Sequence, residues 1–287
     1  AFDVNKDGIL DIVSGEYWFE GPDFKKQHKI CDVQPMEDYY DDFADYPMDV
    51  NGDGYLDIVT GGWWGETLRW RENPKGQLVE WRVHDIAKVG NIERPCFHDF
   101  DGDGHVEVMP NCPGGPVVIF ALERDEQGRG TGRFRQVTVF EEASGHGIGF
   151  GDINGDGRDD IILSRGWLEA PESPYTGRWL WHPEFELGSA SCPIIVHDVN
   201  GDGLNDLIVG QAHDYGLAWW EQRVDDQGRR TWVKHDIDTQ RSQYHALDLA
   251  DIDNDGQLEL ITGKRYWAHM SRDPGEREPI GLERFMR

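Results

Sequence analysis

The chain has 287 residues, with Asp+Glu 55 against Lys+Arg 28 and a formal net charge of −27. So acidic a balance excludes nucleic acid as a partner, because its phosphates must be met by clustered Lys and Arg, and it excludes an anionic membrane surface for the same reason. Aromatic residues make up 11% and include 12 Trp, enough to build a core despite the charge, and no apolar run reaches the ~20 residues of a spanning helix.

In chain order, the first predicted element is a nine-residue turn. Asp3, Asn5, Asp7 and Asp11 occupy its positions 1, 3, 5 and 9, Gly8 stands at position 6, and a strand begins at Ile12-Val13. Glu16 and Trp18 follow five and seven residues past position 9. The second copy is Asp49, Asn51, Asp53 and Asp57, with Trp64 after it. Asp41, Asp42 and Asp45 precede it and read as solvated surface. The third copy is Asp99, Asp101, Asp103 and Glu107, with Glu93 before it. Cys96 and Cys112 flank this hairpin, a pair that an oxidising compartment would bridge if the geometry allowed. The fourth is Asp152, Asn154, Asp156 and Asp160, with His146 six residues ahead and Arg165 and Trp167 behind. The fifth is Asp198, Asn200, Asp202 and Asp206, between Cys192 and His213. The sixth is Asp251, Asp253, Asp255 and Glu259, preceded by His245 and followed by Lys264, Arg265, Tyr266 and His269.

The copies start at residues 3, 49, 99, 152, 198 and 251. A period near 50 with no helical stripe between copies suits one four-stranded sheet per copy, which predicts an all-β propeller forming a single domain over 1–287. Oxygen ligands at positions 1, 3, 5 and 9, with a glycine turn at position 6, surround a hard cation, and Ca²⁺ is the expected ion. An Asx-rich turn would explain one copy without metal; it does not explain six in register. Six Ca²⁺ would reduce the charge of −27 to −15, and without them the carboxylates of each turn repel one another.

The turns commit one end of each sheet to metal. Residues six before position 1, and five to seven after position 9, therefore meet at the other end. Glu93, His146 and His245, with Cys192 either beside them or in the core, form an expected shell for Zn²⁺ or another divalent transition metal. Trp18, Trp64, Trp167 and Tyr266 either offer faces to a sugar ring or pack between sheets. Glu16, Arg165, Lys264 and Arg265 are harder to read as packing and suggest a polar ligand. No GxSxG elbow or phosphate-cradling glycine loop is present.

The six turns resemble the FG-GAP/VCBS repeats of calcium-bearing propellers. The stretches Ser14-Gly15-Glu16-Tyr17-Trp18, Ser144-Gly145-His146-Gly147, Gln243-Tyr244-His245 and Gly263-Lys264-Arg265-Tyr266-Trp267-Ala268-His269 are similar to the propeller of aldos-2-ulose dehydratase-type proteins. That resemblance implies a seven-bladed ring of which six loops are visible, a bound metal, and removal of water from a keto-sugar such as anhydrofructose. It implies that His146 and His245, helped by Glu93 or His213, hold the metal, that a His or Glu takes the α-proton, and that Lys264 or Arg265 meets the oxyanion. Glu16, Trp18, Trp64, Arg165, Trp167, Tyr266 and His269 would then contact substrate. The cupin domains of those enzymes are not in this chain, which starts two residues before a loop, so truncation and further domains in the full-length protein are expected. Calcium loops of modest affinity suit an extracytoplasmic setting, with any signal outside this chain. The competing reading is a carbohydrate-binding or adhesion module without chemistry, and the blandest is a calcium-stiffened scaffold.

Overall fold

Each nine-residue turn is followed by a short run of β-branched and aliphatic residues, as in Asp57–Thr60, Asp160–Leu163 and Asp206–Gly210, and every one of these residues is buried. Burial on both faces makes such runs interior strands, which need no alternation of polar and apolar residues. The computed structural model describes residues 1–36, 39–267, 269 and 272–277. Among the described residues there is no helix, and the chain divides into two compact units, residues 1–143 and 144–287.

The first unit contains a three-stranded sheet (Ile12–Ser14, Tyr17–Glu20, Lys26–Lys29) and a small hairpin (Pro35–Met36, Tyr39–Tyr40). Two four-stranded sheets follow: Tyr46–Met48, Asp57–Thr60, Thr67–Glu72 and Arg82–Lys88, then Arg94–His98, Glu107–Asn111, Val117–Arg124 and Gly130–Phe140. In the second unit the four-stranded sheets are Ile148–Gly151, Asp160–Leu163, Gly166–Glu169 and Leu180–His182, then Ile195–His197, Asp206–Gly210, Tyr215–Val224 and Arg230–Ser242. A hairpin of Leu247–Ala250 and Glu259–Thr262 completes it. All these sheets pair in sequence order and antiparallel, as meanders.

Within each unit the cores lie between consecutive sheets. Val50, Val59 and Leu68 pack with Val108, Val118 and Phe120 in the first, and Ile162 and Trp167 pack with Leu207 and Val209 in the second. Amide side chains stitch neighbouring turns together. Asn73 Nδ2 donates to the Val4 carbonyl at 2.9 Å, and Gln222 Nε2 donates to that of Ile153 at 3.2 Å.

Two expectations fail here. Cys96 and Cys112 form no disulfide: all four cysteines are buried free thiols, and Cys96 pairs across the hairpin with Met109. The acids before the second turn are not solvated surface. Asp41 is 7% exposed and the Asp42 side chain 3%. Arg69 and Arg71 bind them at 3.2 and 3.1 Å, and Thr60 donates a hydroxyl to Asp42.

Candidate functional site

The six turns share one backbone geometry. Their position-6 glycines, Gly8, Gly54, Gly104, Gly157, Gly203 and Gly256, all have φ between 84° and 87°, a left-handed conformation that costs a side chain energy and glycine nothing. This turn lets the loop's own amides organise the acids. In the second copy Asp53 N donates to Asp49 Oδ1 (3.1 Å) and Asn51 Oδ1 (3.0 Å), and Gly54 N donates to Asp49 Oδ2 (2.9 Å). The donor oxygens are drawn together before any ion arrives: in the third copy those of Asp99, Asp101 and Glu107 lie within 4.8 Å of one another, and in the sixth those of Asp251, Asp253 and Asp255 do. This donor set fits a hard cation.

The position-9 acid does more than expected. Asp57 Oδ2 accepts from Val50 N in the turn at 2.9 Å, and Oδ1 accepts from Asn73 N just past the third strand at 2.8 Å. Asp11, Asp160 and Asp206 make the same double contact. Burial pushes the Asp57 and Asp160 carboxyls up to about 7, against those backbone amides.

In the second unit the histidines converge. One nitrogen each of His146, His213 and His245 lies within 4.8 Å of the others, and the His245 ring stands edge-on to both partners. His146 Nδ1 is 2.8 Å from the Ala190 carbonyl, and His213 Nδ1 is 2.7 Å from Asp273 Oδ2. Each of those acceptors fixes the proton on Nδ1 and leaves Nε2 as a lone pair. The two Nε2 atoms then face each other at 3.0 Å. Two bare lone pairs at that distance repel unless a proton or a cation lies between them. Ligands about 2.0–2.1 Å from a tetrahedral ion stand about 3.3–3.4 Å apart, so the set fits a Zn²⁺-type ion. Burial, with His146 and Arg265 adding to it, depresses His213 to about 4 despite Asp273, so its ring is neutral and ready to ligate at pH 7.

Around this trio, His269 stacks on His213 with centroids 4.7 Å apart and places Nδ1 2.7 Å from the same Asp273 oxygen. Burial raises the Asp273 carboxyl, but the hydrogen bonds from the two histidines outweigh it and hold the group below its ordinary range. Arg265 Nη2 donates to Gln243 Oε1 at 2.7 Å and to the Ala212 carbonyl at 3.2 Å. Gln243 is fully buried; the resemblance includes its stretch but implies no role for it.

Several of the other expected site residues have structural partners of their own. Lys264 is buried with Nζ on the Gly275 carbonyl at 2.6 Å, tying down a turn. Arg165 is exposed on the turn before Gly166–Glu169, and Tyr266 is half exposed. The backbone N–H of Glu93 donates to the Asn111 carbonyl at 2.8 Å. Glu16 accepts from Val33 N at 2.9 Å. Trp18 and Trp167 do not present faces to a ligand: they are 2% and 1% exposed, Trp18 tilted against His28 and Trp167 stacked on His182 of the adjoining strand. Trp64 packs with Tyr39 and Phe43. Cys192 is buried, with its N–H on the His245 carbonyl at 3.0 Å.

Comparison with known proteins bears on the repeats. A family model described as FG-GAP-like repeat matches residues 49–109 and 198–262, stretches that contain the second, third, fifth and sixth turns, so the chain carries FG-GAP-like repeats. No curated protein matches the chain. Among solved structures, that of the V. cholerae biofilm matrix protein Bap1 is similar at 21% identity and a TM-score of 0.37, over 77% of this chain and 35% of that one. This chain thus spans about a third of that structure's length.

Proposed function

We propose that this chain is a calcium-loaded, extracytoplasmic β-propeller that carries a histidine-held divalent transition metal and uses it to remove water from a keto-sugar. The observation that carries the reading is the pair of Nε2 lone pairs on His146 and His213, aimed at each other with both Nδ1 protons already committed. The FG-GAP-like repeats support calcium in the four turns they contain, and the turn geometry shared by all six suits it.

A divalent ion bound by His146, His213 and His245 supplies Lewis-acid polarisation of a carbonyl. The surrounding residues then divide the remaining work. Asp273 holds the His213 proton on Nδ1 and keeps the ring aimed. His269, with Nδ1 turned to Asp273, is the base that takes the proton α to the carbonyl at Nε2. The electron pair of that C–H bond forms the new C=C bond as the β-hydroxyl leaves; with the abstracted proton it departs as water. Arg265, fixed by Gln243, supplies positive charge beside the developing oxyanion.

Elemental analysis of purified protein, followed by incubation with anhydrofructose and detection of the conjugated enone by absorbance, tests the proposal. Calcium plus about one transition ion per chain, with turnover lost in a His146→Ala/His245→Ala variant whose calcium-dependent melting is unchanged, is the expected result. A fully active double variant, or no turnover by the zinc- and manganese-loaded wild type, would overturn it. Glycan binding without turnover would assign the chain to the binding modules.

A further inference from the structure

The first unit contains a cavity of about 690 Å³, within the size range of small-molecule sites. Aromatic side chains of Tyr17, Tyr39, Tyr40 and Phe43 line it together with the carboxylates of Glu16, Asp42 and Asp45. The lining is held in place by hydrogen bonds. Gly15, at the turn between Ile12–Ser14 and Tyr17–Glu20, donates its N–H to Asp45 Oδ2 at 3.1 Å and accepts from Arg71 Nη1 at 3.1 Å. Phe43 N donates to the Gly61 carbonyl at 2.9 Å. Trp64 packs against Tyr39 and Phe43 from behind, at centroid distances of 5.5 and 5.9 Å.

Charge decides what such a cavity would take. Arg71 is 2% exposed and already divided between Asp42 at 3.1 Å and Asp45 at 3.3 Å. Arg69 is matched by Asp41. Three lining carboxylates against one guanidinium leave the cavity negative. Aromatic faces add a quadrupole that attracts cations and is indifferent to neutral groups. A neutral sugar would gain the apolar contact and hydroxyl hydrogen bonds to the carboxylates, without the charge attraction. An anion would be repelled.

We infer that this cavity binds a small organic cation, a protonated primary amine on a sugar-sized skeleton. This stands independently of the metal centre, since every lining residue lies in the first unit.

Calorimetric titration of the full calcium-saturated chain at neutral pH with glucosamine, N-acetylglucosamine and glucose separates charge from shape, because the three share a ring and only the first is cationic. Glucosamine is expected to bind about tenfold tighter than the two neutral sugars. Tyr40→Ala and Glu16→Gln are expected to weaken it about tenfold each. Tyr40 is 60% exposed, and a glutamine at position 16 keeps an oxygen for Val33 N, so both variants fold. Equal affinity for the three sugars would overturn the inference, as would glucosamine binding that neither substitution changes, which is adsorption to the acidic surface. Failure of glucosamine to saturate in the millimolar range would overturn it too.

Discussion

His213 is held from behind by Asp273 at 2.7 Å while its Nε2 meets that of His146 at 3.0 Å. A carboxylate behind a ligating imidazole raises its basicity and fixes its orientation. Asp273→Asn is therefore expected to weaken zinc binding by about 10- to 100-fold, read by competition with a coloured chelator. Unchanged affinity would show that Asp273 does not support His213 as a ligand, because the asparagine leaves the three histidines in place.

Calcium removal should cost stability in proportion to the loops emptied. At an ion concentration tenfold above Kd, each occupied loop contributes about 1.4 kcal/mol. Melting in millimolar calcium and in excess EGTA measures the sum. A melting temperature indifferent to EGTA would mean that the turns are hydrogen-bonded hairpins and nothing more.

Two substitutions in the second turn separate the ligand role from the clamp role. Asn51→Ala removes a proposed ion ligand and one acceptor of the Asp53 N–H on a partly exposed residue, so the larger part of its cost should appear in calcium and the smaller part remain in EGTA. Asp57→Ala strands the buried amides of Val50 and Asn73. It should cost about 2–4 kcal/mol in either buffer. Chemical denaturation of both variants, with and without calcium, checks the contrast.

Asp45 predicts a pH dependence of opposite sign to the usual carboxylate. Burial and the neighbouring Asp42 push its carboxyl up to about 6, against Arg71 and the Gly15 amide. The folded chain thus holds a proton that the unfolded chain has released, so this contribution to stability falls as pH rises from about 4 to 6 and is flat above. Asp45→Asn should flatten that window and be more stable than wild type at neutral pH by on the order of 1 kcal/mol. A variant with the same pH slope as wild type would show that Asp45 is ionised throughout.

The turns were readable because every ligand sits within nine residues of the others, so local spacing encodes the whole donor set. His146 and His245 were readable because repetition places both six residues ahead of a turn. Asp42 was not, because its partners Thr60 and Arg71 come from later strands and give no local sign that a surface-looking acid is buried. The tryptophans were misread for a related reason. Trp18, Trp70, Trp167 and Trp219 each lie opposite a histidine on the next strand, which covers the indole and bonds to a glutamate two residues past it. The pattern Trp-x-Glu followed by a histidine on the partner strand occurs in all four places and would have marked these indoles as packing. Gln243 joins the histidine cluster only through folding, which periodicity does not report.

The double contact made by Asp11, Asp57, Asp160 and Asp206 would tie a calcium ion in each of those turns to the sheet behind it. Each of these carboxylates joins its own turn to a later part of the same sheet, and Asn73 and Gln222 tie two of those segments to a neighbouring turn, so an ion lost from one turn would loosen its own sheet first and the tied turn next. A fluid of falling calcium would slacken such a protein piece by piece, the weakest turn first. Its stiffness would then record the calcium around it as a series of small steps.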